Sequence, residues 1–358
     1  MGVSVCPPAH PRLWSRAASL LVGLLTLLAL PAGAQAHGPI DPSASSYQAR
    51  VSQVPAGTHA QVVDGDLRMW MSASPKVTVE VLDYRGAPYL RFTGAGVSVN
   101  TASAMYYLNQ VPVELPPTNL DPRTPTRWQR VSRGHSYEWH DGRLHALAST
   151  VRAPGSDNLG RWSVPLRVGG APTAISGALF YAPDPSPVWF WPIIVVAACM
   201  LAGLRLRRPL LDERLARGLA SVALAAFVLG GLARQLHGRP GISTGQLIVL
   251  ALELAFAGWA AVRLTRRDHG WFVLFLSAAA AIWEGATLAG SLLYGFVLLA
   301  FPPLLARVTV VSCLAAGIGL LPVVFAIAER PQRRRSVAPP NAPSASGPAP
   351  EAAWEPIN

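Results

Sequence analysis

Cysteine is scarce in this chain. Cys6, Cys199 and Cys313 are the only three in 358 residues, and no C-x-x-C occurs. The two later ones lie in apolar runs, where a thiol serves as a small apolar side chain. The polar stretch 37–186 has no cysteine at all. A disulfide framework and a thiolate metal site are therefore excluded there, and its fold must rest on its own core. Signatures of catalysis are sparse as well: no Walker sequence, no H-E-x-x-H and no dinucleotide fingerprint. No substrate pocket is suggested beside the one metal-capable segment, so the chain reads as a non-enzyme. Acidic residues are also few, 19 against 30 lysines and arginines, which leaves a net charge of +11. Such a balance can suit nucleic acid. Here the arginines gather at the borders of apolar runs, where they set orientation and meet anionic lipid, and nucleic acid is set aside as a partner.

What the chain does have is a sharp change in hydropathy near Pro187. The start carries Arg12 and Arg16, an apolar run over 17–30, and then Ala34-Gln35-Ala36. A basic flank, a short apolar core and an A-x-A end mark a secretory signal peptide over 1–36. Cleavage there leaves His37 first in the mature chain. Residues 37–186 form the exported domain, 187–329 the transmembrane domain, and 330–358 a basic, Pro-rich cytoplasmic tail too poor in apolar residues to fold.

Five stretches approach the roughly 20 apolar residues a spanning helix needs: 188–206, 218–236, 246–264, 271–290 and 305–328. The segment 291–304 is apolar but short and broken by Pro302-Pro303. It is an interfacial piece, a re-entrant turn or a sixth span. Arginine clusters follow the first, third and fifth stretches. Because such clusters mark cytoplasmic loops, five spans with the exported domain outside put all of them inside. The expectation is a multi-pass cell-membrane protein with the bilayer as its first partner.

Within 37–186, period-two runs are separated by turn residues. Leu67, Met69 and Met71 alternate with Arg68 and Trp70, and Val77, Val79 and Val81 with Thr78 and Glu80. Asp83-Tyr84-Arg85-Gly86 makes a turn, and Gly169-Gly170 reverses a run through Trp162, Val164 and Leu166. This is the pattern of an antiparallel, Ig-like β-sandwich, all-β and followed by an all-α membrane domain of five, or at most six, helices. The proline-rich stretch 112–127 is the expected long loop, and no helical period competes.

The sharpest local signal is His135-Ser136-Tyr137-Glu138-Trp139-His140-Asp141-Gly142-Arg143-Leu144-His145. Asp-Gly between alternating runs predicts a two-residue hairpin turn. In that register Tyr137, Trp139, Leu144 and Ala146 face the core. Glu138, His140, Arg143 and His145 share the other face. Imidazoles and carboxylates together suit a d-block ion, with Cu(II) first for a mixed nitrogen and oxygen set. An N-terminal His37 adds an amine and an imidazole, which makes His37, His140, His145, Glu138 and Asp141 the candidate ligands, with His59 a further one. The competing reading is a solvated hairpin face, or one that contacts an envelope protein partner. Met69 and Met71 fit a core better than a Cu(I) site.

These residues give the exported domain a resemblance to the periplasmic copper-resistance proteins of the CopC type. The matching features are His37 after the signal, Pro55-Ala56-Gly57, the strand and turn from Val79 through Gly86 to Pro88, and Asp141-Gly142 after an aromatic strand. The resemblance implies a β-sandwich binding copper as Cu(II) through the N-terminal histidine and an Asp-Gly-His segment. Arg143 stands where that family has its histidine, flanked by His140 and His145. Some members are fused to a CopD-type membrane domain, which has more spans than this chain and histidines inside them. The whole chain is also similar to bacterial membrane proteins carrying a Trp-His-Asp-x-Arg-x-His segment, a likeness that brings no activity with it.

Two acidic residues, Glu253 and Glu284, lie well inside apolar stretches, with Arg234 and Arg307 at similar depth. Intramembrane ionisable groups are costly and tend to be paired or functional. The four are expected to form a polar cluster beneath the exported domain, either as a packing network or as part of an ion or proton path. His237 and His269 lie in loops, so no bis-histidine haem site falls within the bilayer.

Overall fold

The computed structural model describes residues 42–145, 157–206, 209–266 and 270–336. The expected signal peptide, His37, His269 and the tail beyond 336 lie outside the described residues. The β-region comprises β1 (Ala44–Ser45), β2 (Tyr47–Gln53), β3 (Thr58–Val63), β4 (Arg68–Ala73), β5 (Val79–Leu82) and β6 (Pro88–Thr93). These are followed by β7 (Gly96–Asn100), β8 (Trp128–Ser132), β9 (Ser136–His140), β10 (Asn158–Val168) and β11 (Ala171–Tyr181). Every pairing among them is antiparallel. One sheet has seven strands in the order β2-β11-β10-β5-β6-β7-β8, and the other has three, β3-β4-β9.

The period-two runs become the inner faces of these sheets. Met69 and Met71 of β4 and Trp139 of β9 are buried in one cluster with Val79, Val81, Leu90, Phe92, Val164, Leu166 and Ile175 of the larger sheet. Each such side chain contributes about 1.5–3 kcal/mol by leaving water, which lets the region dispense with disulfides. The β10–β11 reversal uses Gly169 and Gly170 at φ +56° and +88°, the mirror-image turn that suits the twist of a two-residue hairpin. One short helix, α1 (Ala104–Leu108), was not expected; the Ser103 hydroxyl caps it and Met105 fills the core beneath. The stretch 112–127 is the long loop anticipated, ending at β8.

The C-terminal region is helical: α2 (Trp191–Leu206), α3 (Pro209–Gln235), α4 (Thr244–Thr265), α5 (Trp271–Thr287), α6 (Gly290–Leu293) and α7 (Pro303–Ser336). Glu213–Gln235, Thr244–Thr265 and Pro303–Val324 are long and apolar enough to cross a membrane; Pro187–Ala202 and Trp271–Thr287 are apolar but shorter. Helix α7 packs against α2, α3 and α5, and it continues through the arginines expected to begin the tail, residues that favour helix.

The ambiguous segment 291–304 forms no spanning helix. It holds the end of α6 and a two-residue strand, β12 (Phe296–Val297), which pairs with β1. Arg307 fixes this turn by donating from Nε to the Ser291 carbonyl at 2.9 Å and from Nη2 to those of Tyr294 and Gly295. The expectation that Arg307 joins Arg234, Glu253 and Glu284 is thereby corrected, since three unpaired carbonyls at a broken helix end claim its guanidinium.

A second contact ties the halves together. Asp64, wholly buried at the β3–β4 turn, accepts from Arg68 and meets Arg239 Nη1 of the α3–α4 loop at 3.3 Å. Arg239 also donates to the Pro42 carbonyl at 2.9 Å. Burial lowers its pKa to about 10, so it stays charged at neutral pH. Asp64 itself sits at φ +60°, and Gly65 at φ +82° has no room for a side chain, because a Cβ there would fall 2.8 Å from the Tyr47 carbonyl oxygen. Removing one partner of a buried ion pair costs about 3–5 kcal/mol. Asp64→Ala is therefore expected to lower the unfolding free energy of the detergent-solubilised chain by that order, read from denaturant titrations followed by tryptophan fluorescence; a change within error would show that Asp64 holds nothing.

Candidate metal centre

Two histidines of the aromatic segment, His140 and His145, come together, though not in the way a hairpin would bring them, while His135 faces the Thr93 carbonyl. Strand β9 pairs with β4, placing His140 opposite Arg68, Trp139 opposite Met69 and Glu138 opposite Trp70. After His140 the chain enters a single 3-10 turn, Gly142–Leu144. The Asp141-Gly142 hairpin is corrected on a local cause. The Asp141 carboxylate caps that turn by accepting from the Arg143 backbone N–H at 3.1 Å. It also accepts from the Trp139 indole at 2.9 Å and from Arg143 Nε and Nη2 at 2.8 and 2.7 Å. A capping aspartate that also binds an arginine holds its backbone away from the positive φ a hairpin needs. The Tyr84 hydroxyl, accepting from Gly142 N at 2.7 Å, fastens the turn from the other sheet. Trp139 and Leu144 are buried, as the alternation predicted, and Ala146 lies outside the described residues.

This turn brings His145 back onto His140. Their Nε2 atoms are 3.0 Å apart and their ring centroids 4.9 Å. Nδ1 of His145 faces Asp66 Oδ2 at 3.2 Å. If His145 carries its proton on Nδ1 and donates it to Asp66, its Nε2 lone pair faces His140 Nε2. Two nitrogens at about 2.0 Å from one ion lie about 2.8 Å apart at a right angle and about 3.3 Å apart at the tetrahedral angle. The observed separation falls between these values. Asp66 occupies the place of the carboxylate that commonly orients a ligating histidine from behind.

The carboxylates expected to assist are engaged elsewhere. Asp141 is fully buried and neutralised by Arg143, and Glu138 pairs with Arg68 Nη1 at 2.9 Å. Arg143 is committed to Asp141 and donates from Nη1 to the Leu82 carbonyl as well. His59 packs edge-on against Trp70 with centroids 5.7 Å apart. Among the described residues, no three His, Cys, Asp or Glu side chains are arranged around one point; His37, the remaining candidate, lies outside them. The site thus offers two convergent nitrogen donors with a carboxylate behind one of them.

Asp66 escaped the sequence reading, as did the Asp64–Arg239 pair. Asp64-Gly65-Asp66 was a visible turn signal, but its proximity to His145 depends on the β4–β9 pairing, which joins strands more than sixty residues apart. Within the helices, Arg234 Nη2 donates to Glu253 Oε1 at 2.6 Å and to Glu284 Oε2 at 2.9 Å.

Partial burial, and then the neighbouring His145, lower the pKa of His140, against an opposing pull from Asp141. A depressed histidine contributes stability that is complete above the unfolded value of about 6.5 and is lost as pH falls through the folded pKa. In the chelator-treated protein, His145→Gln is expected to move the His140 titration upward, read from its ring resonances by NMR. An unchanged titration would mean that the two rings do not interact in solution.

No protein-family model matches this sequence, and neither a curated protein nor a solved structure matches it. The functional reading therefore rests on the geometry and chemistry of these residues.

Proposed function

We propose that the chain is a multi-pass cell-membrane protein whose β-region, an Ig-like sandwich held outside on five helices, binds one metal ion in copper handling or sensing. The ion is Cu(II), taken by His140 Nε2 and His145 Nε2, with Asp66 orienting His145. The observation that carries this reading is the 3.0 Å approach of the two Nε2 atoms, a separation suited to two neighbouring positions on one ion. The amine and imidazole of His37, first in the exported chain, supply the further donors that a tetragonal Cu(II) site takes. The membrane reading draws support from the surface of the helices. Ile194, Val195, Leu247, Ile248, Leu252, Val262 and Leu304 are large, apolar and exposed there, as lipid-facing side chains are.

A second reading keeps the anchor and replaces the metal with a protein partner. It is favoured by a cleft of about 400 Å³ beside His145, lined by Tyr84, Arg143, Leu159 and Trp162 among others. The two readings separate in one titration of the full chain in lipid nanodiscs with Cu(II) against a competing chelator. Metal binding predicts saturation at one ion per chain, lost in the His140→Ala/His145→Ala variant and weakened about 10–100-fold by Asp66→Asn. A residue added before His37 weakens it too. Absence of saturable binding, or binding indifferent to both histidines, would leave the partner reading in its place.

A further inference from the structure

Beneath the β-region the helices enclose a charge imbalance. Arg234 of α3 donates through a single nitrogen, Nη2, to both Glu253 of α4 and Glu284 of α5. Two carboxylates therefore share one guanidinium. Glu284 is wholly buried, at 0% exposure, and its Oε1 has no hydrogen-bond partner; Glu253 Oε2 is buried and unpartnered in the same way. The space they occupy is built for them. Gly230 and Gly231 of α3 face the two side chains, and a Cβ on Gly230 would fall 2.7 Å from Glu284 Cγ.

No other described group balances the charge. Gln235 of α3 reaches Glu253 at 3.5 Å but is neutral. Helix α7 presents the buried Cys313 to Glu284, and its Arg307 is committed to the carbonyls of 291–295. With both glutamates ionised the triad would hold one uncompensated negative charge among apolar helices, at a cost of several kcal/mol. A second ionised carboxylate beside the first is what drives such pairs to keep a proton. A metal cation is a poor substitute, because Na⁺-like or Ca²⁺-like ions need about six oxygens and only two are unpartnered here.

We infer that Glu253 and Glu284 form a proton-binding site that holds one proton between them at neutral pH, with Arg234 as counter-ion to the other, ionised carboxylate. The wholly buried Glu284 is its principal seat. The unpartnered oxygens accommodate the acid proton, and the Gly230-Gly231 face gives both carboxyl groups the room they occupy beside α3. The site is independent of metal binding by His140 and His145, so either can fail alone.

The test is infrared spectroscopy of the full-length protein in lipid nanodiscs, reading the C=O stretch of protonated carboxyl groups with exchange into D₂O. The wild-type chain should show one such group at neutral pH that Glu284→Gln removes. Glu253→Gln should remove it as well, because the surviving glutamate then becomes the sole partner of Arg234 and ionises. Arg234→Gln should have the opposite effect and raise the signal to two. The wild-type band needs no substitution and stands even if a variant fails to fold. Its absence at neutral pH, or its persistence in both glutamine variants, would overturn the inference. A band that appears only when sodium and potassium are replaced by choline would overturn it in favour of a metal cation.

Discussion

A single buried carboxylate joins the two halves of this molecule. Asp64 lies between Arg68, the first residue of β4, and Arg239, from the loop between α3 and α4. Arg68 in turn holds Glu138, two residues before His140 on the neighbouring strand. The result is a neutral chain of alternating charges running from the helical region to the edge of the histidine pair. Removing any member leaves a buried charge uncompensated, which costs far more than an exposed pair returns. The β1–β12 pairing and the Arg307 turn brace the same junction.

Charge counting separates the structural clusters from the candidate functional ones. Asp141 with Arg143 is neutral and closed, with its oxygens occupied by Trp139 and the backbone of the turn. Glu138, Arg68, Asp64 and Arg239 balance likewise. Two places among the described residues do not close in this way. At His140 and His145 two imidazole nitrogens face each other with a carboxylate behind one, which is where the proposed cation would sit. At Arg234 the carboxylates outnumber the guanidinium and keep unpartnered oxygens, which is where the inferred proton would sit.

The sequence was most legible where periodicity reported burial. Met69, Met71, Val79, Val81 and Trp139 are buried as their alternation required, whereas Leu67 at the head of the same run, just before β4, is exposed; Gly169-Gly170 makes the turn its composition suggested. Each apolar stretch falls on a helix, although α3 begins nine residues before the expected 218 and α7 runs eight beyond the expected 328, and among the described residues three helices have the length and apolarity to span. Asp141-Gly142 misled because its turn preference was outweighed by side-chain capture, with Arg143 and Trp139 converging on one carboxylate. The pairing of β9 with β4 had no local signal, since the hairpin register supplied a nearer partner. Asp66 and Arg239 consequently entered the site from parts of the chain that only tertiary structure brings close. Arg307 has as partners the backbone carbonyls of 291–295, and a count of charged side chains does not register those.

The most direct test of the account is electron spin-echo modulation of the full-length protein loaded with one equivalent of Cu(II), which counts coordinated imidazoles through their remote nitrogens. The account predicts modulation from the imidazoles of His140 and His145 beside that of His37, reduced by one imidazole in His140→Ala and likewise by one in His145→Ala, the remote nitrogens of these two rings being Nδ1 because both bind through Nε2. A spectrum with no imidazole modulation, or one unchanged by either substitution, would contradict it.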